Sequence, residues 1–292
     1  MTRHPALLAL ALLAAGAFAV AMYRHQRPPE RDTLMARHLQ ERVTSASPAR
    51  VDCNRFRAQA PLVLLAIGQS NAGNHGPASP PALRQASSNT PVQVMDAGLC
   101  SLSQDPLPGA TGTGTSIWSL LPAQLTAAGL RRPVVLQVLA VDASSIDDWT
   151  RESAPIAQQL SRALSANRAA GLQPDLVLWQ QGEADARAGT APDSYALGLQ
   201  ALAARLQAGG VQAPVLLARS TVCRSAPAAG LQAVQAALVA RDSRFRAGPD
   251  TDAINQRHDA CHWSDSGRAQ AADLWAAAIM RALPASALAP LR

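Results

Sequence analysis

Five short apolar runs, at residues 62–67, 92–95, 134–141, 176–179 and 215–218, constrain this chain more than any other feature. Each is short and apolar on both faces, the pattern of strands buried on both faces in a parallel sheet. Between and after them lie Ala/Leu/Gln-rich stretches with helical spacing, at 117–128, 156–170, 194–208, 231–240 and 266–283. Gly129 and Gly171 follow the first two, where a helix stop is expected. Strands alternating with helices predict an α/β fold, a three-layer α/β/α sandwich around a central, mostly parallel five-stranded sheet. In such a sheet the working residues sit in the loops after the strand C-termini.

Charge and composition remove several function classes. The chain carries 26 basic and 20 acidic residues, and every basic one is Arg. Without Lys there is no Schiff-base chemistry, no pyridoxal-phosphate attachment and no P-loop lysine. Residues 1–57 hold nine Arg against Glu30, Asp32, Glu41 and Asp52, so almost all of the net +6 lies there. The rest is nearly neutral, which argues against a nucleic-acid partner, since that needs a basic patch on the folded domain.

Residues 6–22 form an apolar run of 17, preceded by Arg3 and followed by Arg24 and Arg27. It lies between the length of a signal-peptide core and that of a spanning helix. Residues 1–23 are therefore read as a signal peptide, with Ala17, Ala19 and Ala21 as cleavage-site residues, or as a retained N-terminal membrane anchor. Residues 24–57 read as a basic Pro/Arg-rich linker with one short helical stretch around 34–43, residues 58–285 as the folded domain, and 286–292 as a tail. Cys53, Cys100, Cys223 and Cys261 are an even number at wide spacing, which fits two disulfides in an extracytoplasmic, periplasmic or secreted protein and no zinc pattern. Of three connectivities, Cys53 with Cys100 and Cys223 with Cys261 is the favoured one.

The strand-end loops contain Gly68-Gln69-Ser70-Asn71, Asp142-Ala143-Ser144-Ser145 and Gln180-Gln181-Gly182-Glu183-Ala184-Asp185. Beyond Arg57 the histidines are His75, His258 and His262. Asp259 lies three residues before His262, a spacing that can set a carboxylate against one imidazole nitrogen and leave the other free as a base. Taken singly, these pieces have plainer readings. The tetrapeptide is ordinarily a turn, Asp185 a cap or an Arg partner, and Trp149, Trp179 and Trp263 packing, with His75 a loop residue and His258 exposed.

In combination they resemble the SGNH hydrolase superfamily in its sialate O-acetylesterase-like branch. Gly68-Gln69-Ser70-Asn71 is similar to block I of that branch, Trp179-Gln180-Gln181-Gly182-Glu183-Ala184-Asp185 to its W-x-Q-G-E-x-D signature, and Asp259-Ala260-Cys261-His262 to its closing D-x-x-H. Ser145-Ile146-Asp147-Asp148-Trp149 resembles the S-I-x-x-W after block II. The matches run in order over about residues 61–282. The resemblance implies the flavodoxin-like SGNH fold, with Ser70 as nucleophile, His262 as base and Asp259 as its orienter. It also implies an oxyanion hole of the Ser70 N–H, a block II N–H assigned here to Ala143, and the Gln181 side chain, with Gln69, Asn71 and Glu183 in support. At block II the branch often has Gly-Gly where this chain has Asp142-Ala143, and Ala resists conformations that Gly accepts.

The activity so implied is a serine esterase, needing no cofactor and no metal, that removes O-acetyl groups from a glycan through an acetyl-enzyme. Its partners are an O-acetylated glycan substrate and, through residues 6–22, a membrane. Two alternatives share the sequence: a membrane-anchored polysaccharide O-acetyltransferase and a catalytically inactive glycan-binding module. An aromatic content of 3% counts against the second.

Overall fold

The structure, a computed structural model, describes residues 29–44, 50–78, 92–96 and 99–284. The apolar run 6–22 and the tail 286–292 lie outside the described residues. The five expected strands are present as β2 (Leu62–Gly68), β3 (Val92–Asp96), β5 (Val134–Ala140), β6 (Leu176–Gln180) and β7 (Val215–Arg219), all parallel. Three more extend the sheet: β1 (Val51–Asp52) and β4 (Leu99–Leu102), antiparallel at one edge, and parallel β8 (Phe245–Asp250) at the other. The order is β1-β4-β3-β5-β2-β6-β7-β8. The β8 segment, Phe-Arg-Ala-Gly-Pro-Asp, carries no apolar run because an edge strand need bury only part of itself, and Pro249 is tolerated there.

Buried strands explain the unbroken apolar runs. Along β2, Leu62, Leu64 and Ala66 pack with Trp118 and Trp275 on one face, while Leu65 and Ile67 pack with Trp149 and Trp179 on the other. The first face is covered by α2 (Leu121–Ala127) and α8 (Asp265–Ala282), the second by α4 (Pro155–Ala170), α6 (Pro192–Ala208) and α7 (Ala229–Arg241). Helix α2 starts four residues later than its spacing suggests, with Pro122 in its first turn, where a missing N–H is harmless. The short helices α3 (Ile146–Thr150) and α5 (Glu183–Ala188) follow β5 and β6 directly.

Where it is described, the segment expected as a linker belongs to the folded body. Helix α1 (Pro29–Gln40) buries Met35 in the second core, Arg151 pairs with Asp32, and Val43 exchanges backbone hydrogen bonds with Gly109 and Ala110. The disulfide Cys53–Cys100 fastens the turn Cys53–Gln59 to β4. Composition hides this because few apolar residues of a polar helix suffice when ion pairs and backbone bonds complete the docking.

Gly68 closes β2 where it pairs with Gln180 of β6, at φ +153°, and a Cβ there would lie 2.0 Å from the Gln180 carbonyl oxygen. Gly68→Ala is expected to destabilise the domain by about 3 kcal/mol or more, through backbone strain plus overpacking. Urea unfolding checks this; a wild-type midpoint would contradict the assigned register.

Candidate active site

The loops after β2, β5 and β6 converge where the strand order reverses, the crevice in which open α/β sheets bind ligands. At the end of β2 the chain makes one 3-10 turn, Ser70–Ala72, closed by Ala72 N–H to Gln69 O at 2.8 Å and Gly73 N–H to Ser70 O at 2.8 Å. Ser70 is buried to 2% exposure and lines a small, narrow cleft with Gly73, His75, Thr115, Ile117, Trp263 and Arg268. The Gln69 side chain turns inward and accepts from Ala184 N–H at 2.9 Å. The Asn71 amide donates to Glu183 Oε1 at 2.8 Å and to the Cys261 carbonyl at 3.3 Å. The serine turn is thus tied to both the β6 loop and the loop of His262.

That last loop forms the D-x-x-H geometry. Asp259 Oδ1 accepts from the N–H groups of Cys261 and His262 at 3.0 and 2.6 Å, and Oδ2 accepts from His262 Nδ1 at 2.7 Å. Burial alone would raise the Asp259 carboxyl, but these N–H groups and the imidazole hold it well below the usual carboxylate range. With Nδ1 committed, His262 Nε2 is the nitrogen with no hydrogen-bond partner. The loop is fixed by the disulfide Cys223–Cys261, by Arg224 N–H to Ala260 O at 3.0 Å, and by the Arg257 guanidinium, which donates to the carbonyls of Thr251, Ile254 and Cys261. His75 stacks on His262 at 5.0 Å and also reaches Thr111 Oγ1, so it belongs to the site and not merely to a loop. The only hint in the sequence was its position five residues after Ser70. His258 is exposed, as expected, with its ring 6.0 Å from that of His262.

The expected role of Gln181 needs correction. Its side chain is fully buried, Nε2 donates to Ser144 O at 3.0 Å and Asp185 Oδ2 at 2.5 Å, and Oε1 accepts from Tyr195. Both amide hydrogens are engaged, so Gln181 braces the block II loop and offers no free donor to an oxyanion. Ala143 takes the left-handed conformation, φ +55°, at a penalty of about 1–2 kcal/mol for an L-residue. Among the described residues no hydrogen bond uses the N–H of Ser70 or of Ala143, whereas those of Gln69, Asp142, Ser144 and Ser145 are engaged.

Glu183 and Asp185 are buried. Asp185 caps nothing on its own helix; it accepts from Ile146 N–H at 2.8 Å, Gln181 and Thr190, and burial raises its carboxyl. Burial likewise pushes Glu183 up to about 7, against the Asn71 and Ser220 hydrogen bonds that favour the anion. Trp149, Trp179 and Trp263 are buried packing residues. Two groupings, His75–Asp142–His262 and His258–Asp259–His262, bring donor atoms within 4.8 Å of one another, the donor sets that a cation could use. Both include His262, so a cation there would compete with acid–base work.

Two outcomes follow. A folded-state Glu183 raised above its ordinary value binds more protons than the unfolded chain, so its ionisation weakens the fold as pH rises from about 4.5 through about 7. Glu183→Gln, which keeps the Oε1 acceptor, should flatten this dependence, on the order of 3 kcal/mol, in denaturant unfolding at pH 5 and pH 8. Reducing Cys223–Cys261 should release the His262 loop and lower any activity dependent on it before the domain unfolds; activity that persists until unfolding would contradict that coupling.

None of the curated proteins matches the sequence. Among solved structures, an Arabidopsis thaliana protein superposes with a TM-score of 0.62 at 17% identity, over 76% of this chain and 98% of its own. A carbohydrate acetylesterase from Xanthomonas citri gives 0.51 at 17%, over 75% of this chain and 56% of its own, and NanS gives 0.51 at 16%, over 75% and 96%. These likenesses show a shared α/β fold. Residues 61–281 match the profile of one family, and the chain belongs to it: the carbohydrate esterases described as sialic acid-specific acetylesterase.

Proposed function

We propose that this protein is an exported serine esterase that removes O-acetyl groups from carbohydrates through an acetyl-enzyme. The observation that carries the reading is the His262–Asp259 pair: Nδ1 is held at 2.7 Å from the carboxylate, and Nε2 is buried and has no hydrogen-bond partner. Family membership supports carbohydrate acetyl ester chemistry, and two disulfides suggest an extracytoplasmic protein. Among the described residues no helix is long and apolar enough to cross a membrane, so attachment rests on residues 6–22.

In this mechanism Ser70 Oγ attacks the acetyl carbonyl carbon while His262 Nε2 takes the hydroxyl proton, and the carbonyl π electrons move onto oxygen. Asp259 fixes the tautomer and stabilises the imidazolium. The N–H groups of Ser70 and Ala143 face the oxyanion, where each donor is worth about 2.7–4 kcal/mol. Collapse expels the sugar oxygen, which takes the proton from His262 and leaves acetyl-Ser70. A water deprotonated by His262 then attacks that ester, and acetate leaves as Ser70 recovers its proton. No step requires a metal or cofactor.

The test is hydrolysis of p-nitrophenyl acetate and acetate release from O-acetylated sialic acid and acetylxylan. Ser70→Ala and His262→Ala should each lose activity by 10³-fold or more. Intact mass should find acetyl on the wild type and none on Ser70→Ala. A folded wild type that neither hydrolyses these esters nor forms the adduct would refute the reading, and transfer to a sugar hydroxyl in preference to water would make it a transferase.

A further inference from the structure

Helix α1 does more than dock on the domain: its polar side chains hold the backbone of the block II loop. Arg31 NH2 donates to the Ala143 carbonyl at 2.7 Å, and His38 Nδ1 donates to the Asp142 carbonyl at 3.0 Å. The same guanidinium makes a two-point pair with Asp148, Nε to Oδ1 at 3.3 Å and NH2 to Oδ2 at 2.5 Å. Asp148 is 1% exposed, and its Oδ2 also accepts from the N–H and Oγ of Ser145 in the capping box of α3. Arg31 therefore bridges the two ends of the loop that carries Ala143.

Ala143 is the residue of that loop in a strained conformation, φ +55°, so its peptide planes stay in place only if the surroundings hold them. From below, Gln181 and Asp185 hold the neighbouring Ser144 carbonyl and Ile146 N–H. From above, the Ala143 carbonyl is held by Arg31. A planar fork can serve a carbonyl and a carboxylate together, which an ammonium does poorly.

Resting on the esterase reading above, we propose that Arg31 is a positioning residue for ester hydrolysis at Ser70. By gripping the Ala143 carbonyl and Asp148 it holds Ala143 in its left-handed conformation, while His38 holds the Asp142 carbonyl, in whose peptide plane the Ala143 N–H lies; together they set the direction of that N–H, and the segment between the apolar run and the first strand completes the active site. The helix itself is anchored independently, by buried Met35, by the Arg151–Asp32 pair and by the Val43 backbone bonds. Loss of the Arg31 side chain should therefore disturb the loop without undocking α1.

The experiment uses the full chain in detergent: wild type, Arg31→Ala, Arg31→Lys and, as control, Arg37→Ala, whose side chain is 65% exposed and pairs with Glu41 just past the end of the helix. Arg31→Ala should lower kcat for p-nitrophenyl acetate about 10- to 100-fold with KM within about twofold, the scale expected when a catalytic donor is misplaced. Arg31→Lys should restore part of it, added guanidinium should rescue Arg31→Ala, and Arg37→Ala should match wild type. Amide exchange over residues 142–148 should quicken in Arg31→Ala, with circular dichroism unchanged. Wild-type kcat and exchange in Arg31→Ala, beside an inactive Ser70→Ala, would overturn this inference and leave the esterase reading standing. If Arg31→Ala does not fold, Arg31→Lys decides: full wild-type kcat and exchange would overturn it. A wild type without activity or adduct would remove the esterase reading and this inference with it.

Discussion

The candidate active site hangs on the end of β6 and the residues that follow it, a stretch of polar residues sunk where water cannot reach. Gln180, Gln181, Glu183 and Asp185 are each at most 1% exposed. Polar groups in such a place stabilise a structure only if their hydrogen bonds are met, and at this loop nearly all partners come from other segments. Gln180 bonds to Ser220, Thr251 and Trp275; Gln181 to Ser144 and Tyr195; Glu183 to Asn71 and Ser220; Asp185 to Ile146 and Thr190. Those partners include residues just after β2, β5, β7 and β8. Buried polar pairing is directional where apolar packing is not, so it fixes the loops relative to one another, while the sheet beneath them supplies the stability.

This division of work explains why the carboxylates near Ser70 behave differently. Asp259 is partly open to solvent and accepts two N–H groups and an imidazole, which keep it charged and suited to hold His262. Glu183 is dry, and burial outweighs its hydrogen bonds, leaving it near 7 and better suited to bracing than to charge stabilisation. Chemistry and scaffolding therefore use the same residue type under opposite solvation.

The parallel core was legible because strands buried on both faces must be apolar throughout, and the five runs at 62–67, 92–95, 134–141, 176–179 and 215–218 all became strands. Edge strands leave no such mark: β8 contains Arg246 and Pro249, and β1 is two residues long. Helix α1 was foreseen only as a short helical stretch around 34–43 of a linker, and its docking left no mark for a related reason, since Arg31, Asp32 and His38 dock through ion pairs and carbonyls that only the fold brings near. Within the site, Asp259 and His262 could be paired from a spacing of three residues, because a single turn fixes their geometry. Gln181 could not be assigned in that way. Which way an amide points depends on Ser144, Asp185 and Tyr195, residues that sequence distance does not connect to a catalytic role. His75 joins His262 through stacking, which also leaves no periodic trace.

A chain without lysine has to build every cationic contact from guanidinium, and the site uses what that group does best. Arg257 donates to three carbonyls around the His262 loop, Arg31 to the Ala143 carbonyl and Asp148, Arg268 to the Ser116 carbonyl beside the cleft, and Arg132 to the carbonyls of Ala60 and Pro61 just before β2. In each case one rigid fork collects backbone oxygens from turns that have no ladder to satisfy them. An ammonium would collect fewer at fixed angles and hold its water more tightly. The loops that carry Ser70, Ala143 and His262, which lie outside the sheet's own hydrogen bonding, are thus held by side chains that stay charged at any pH at which the fold persists.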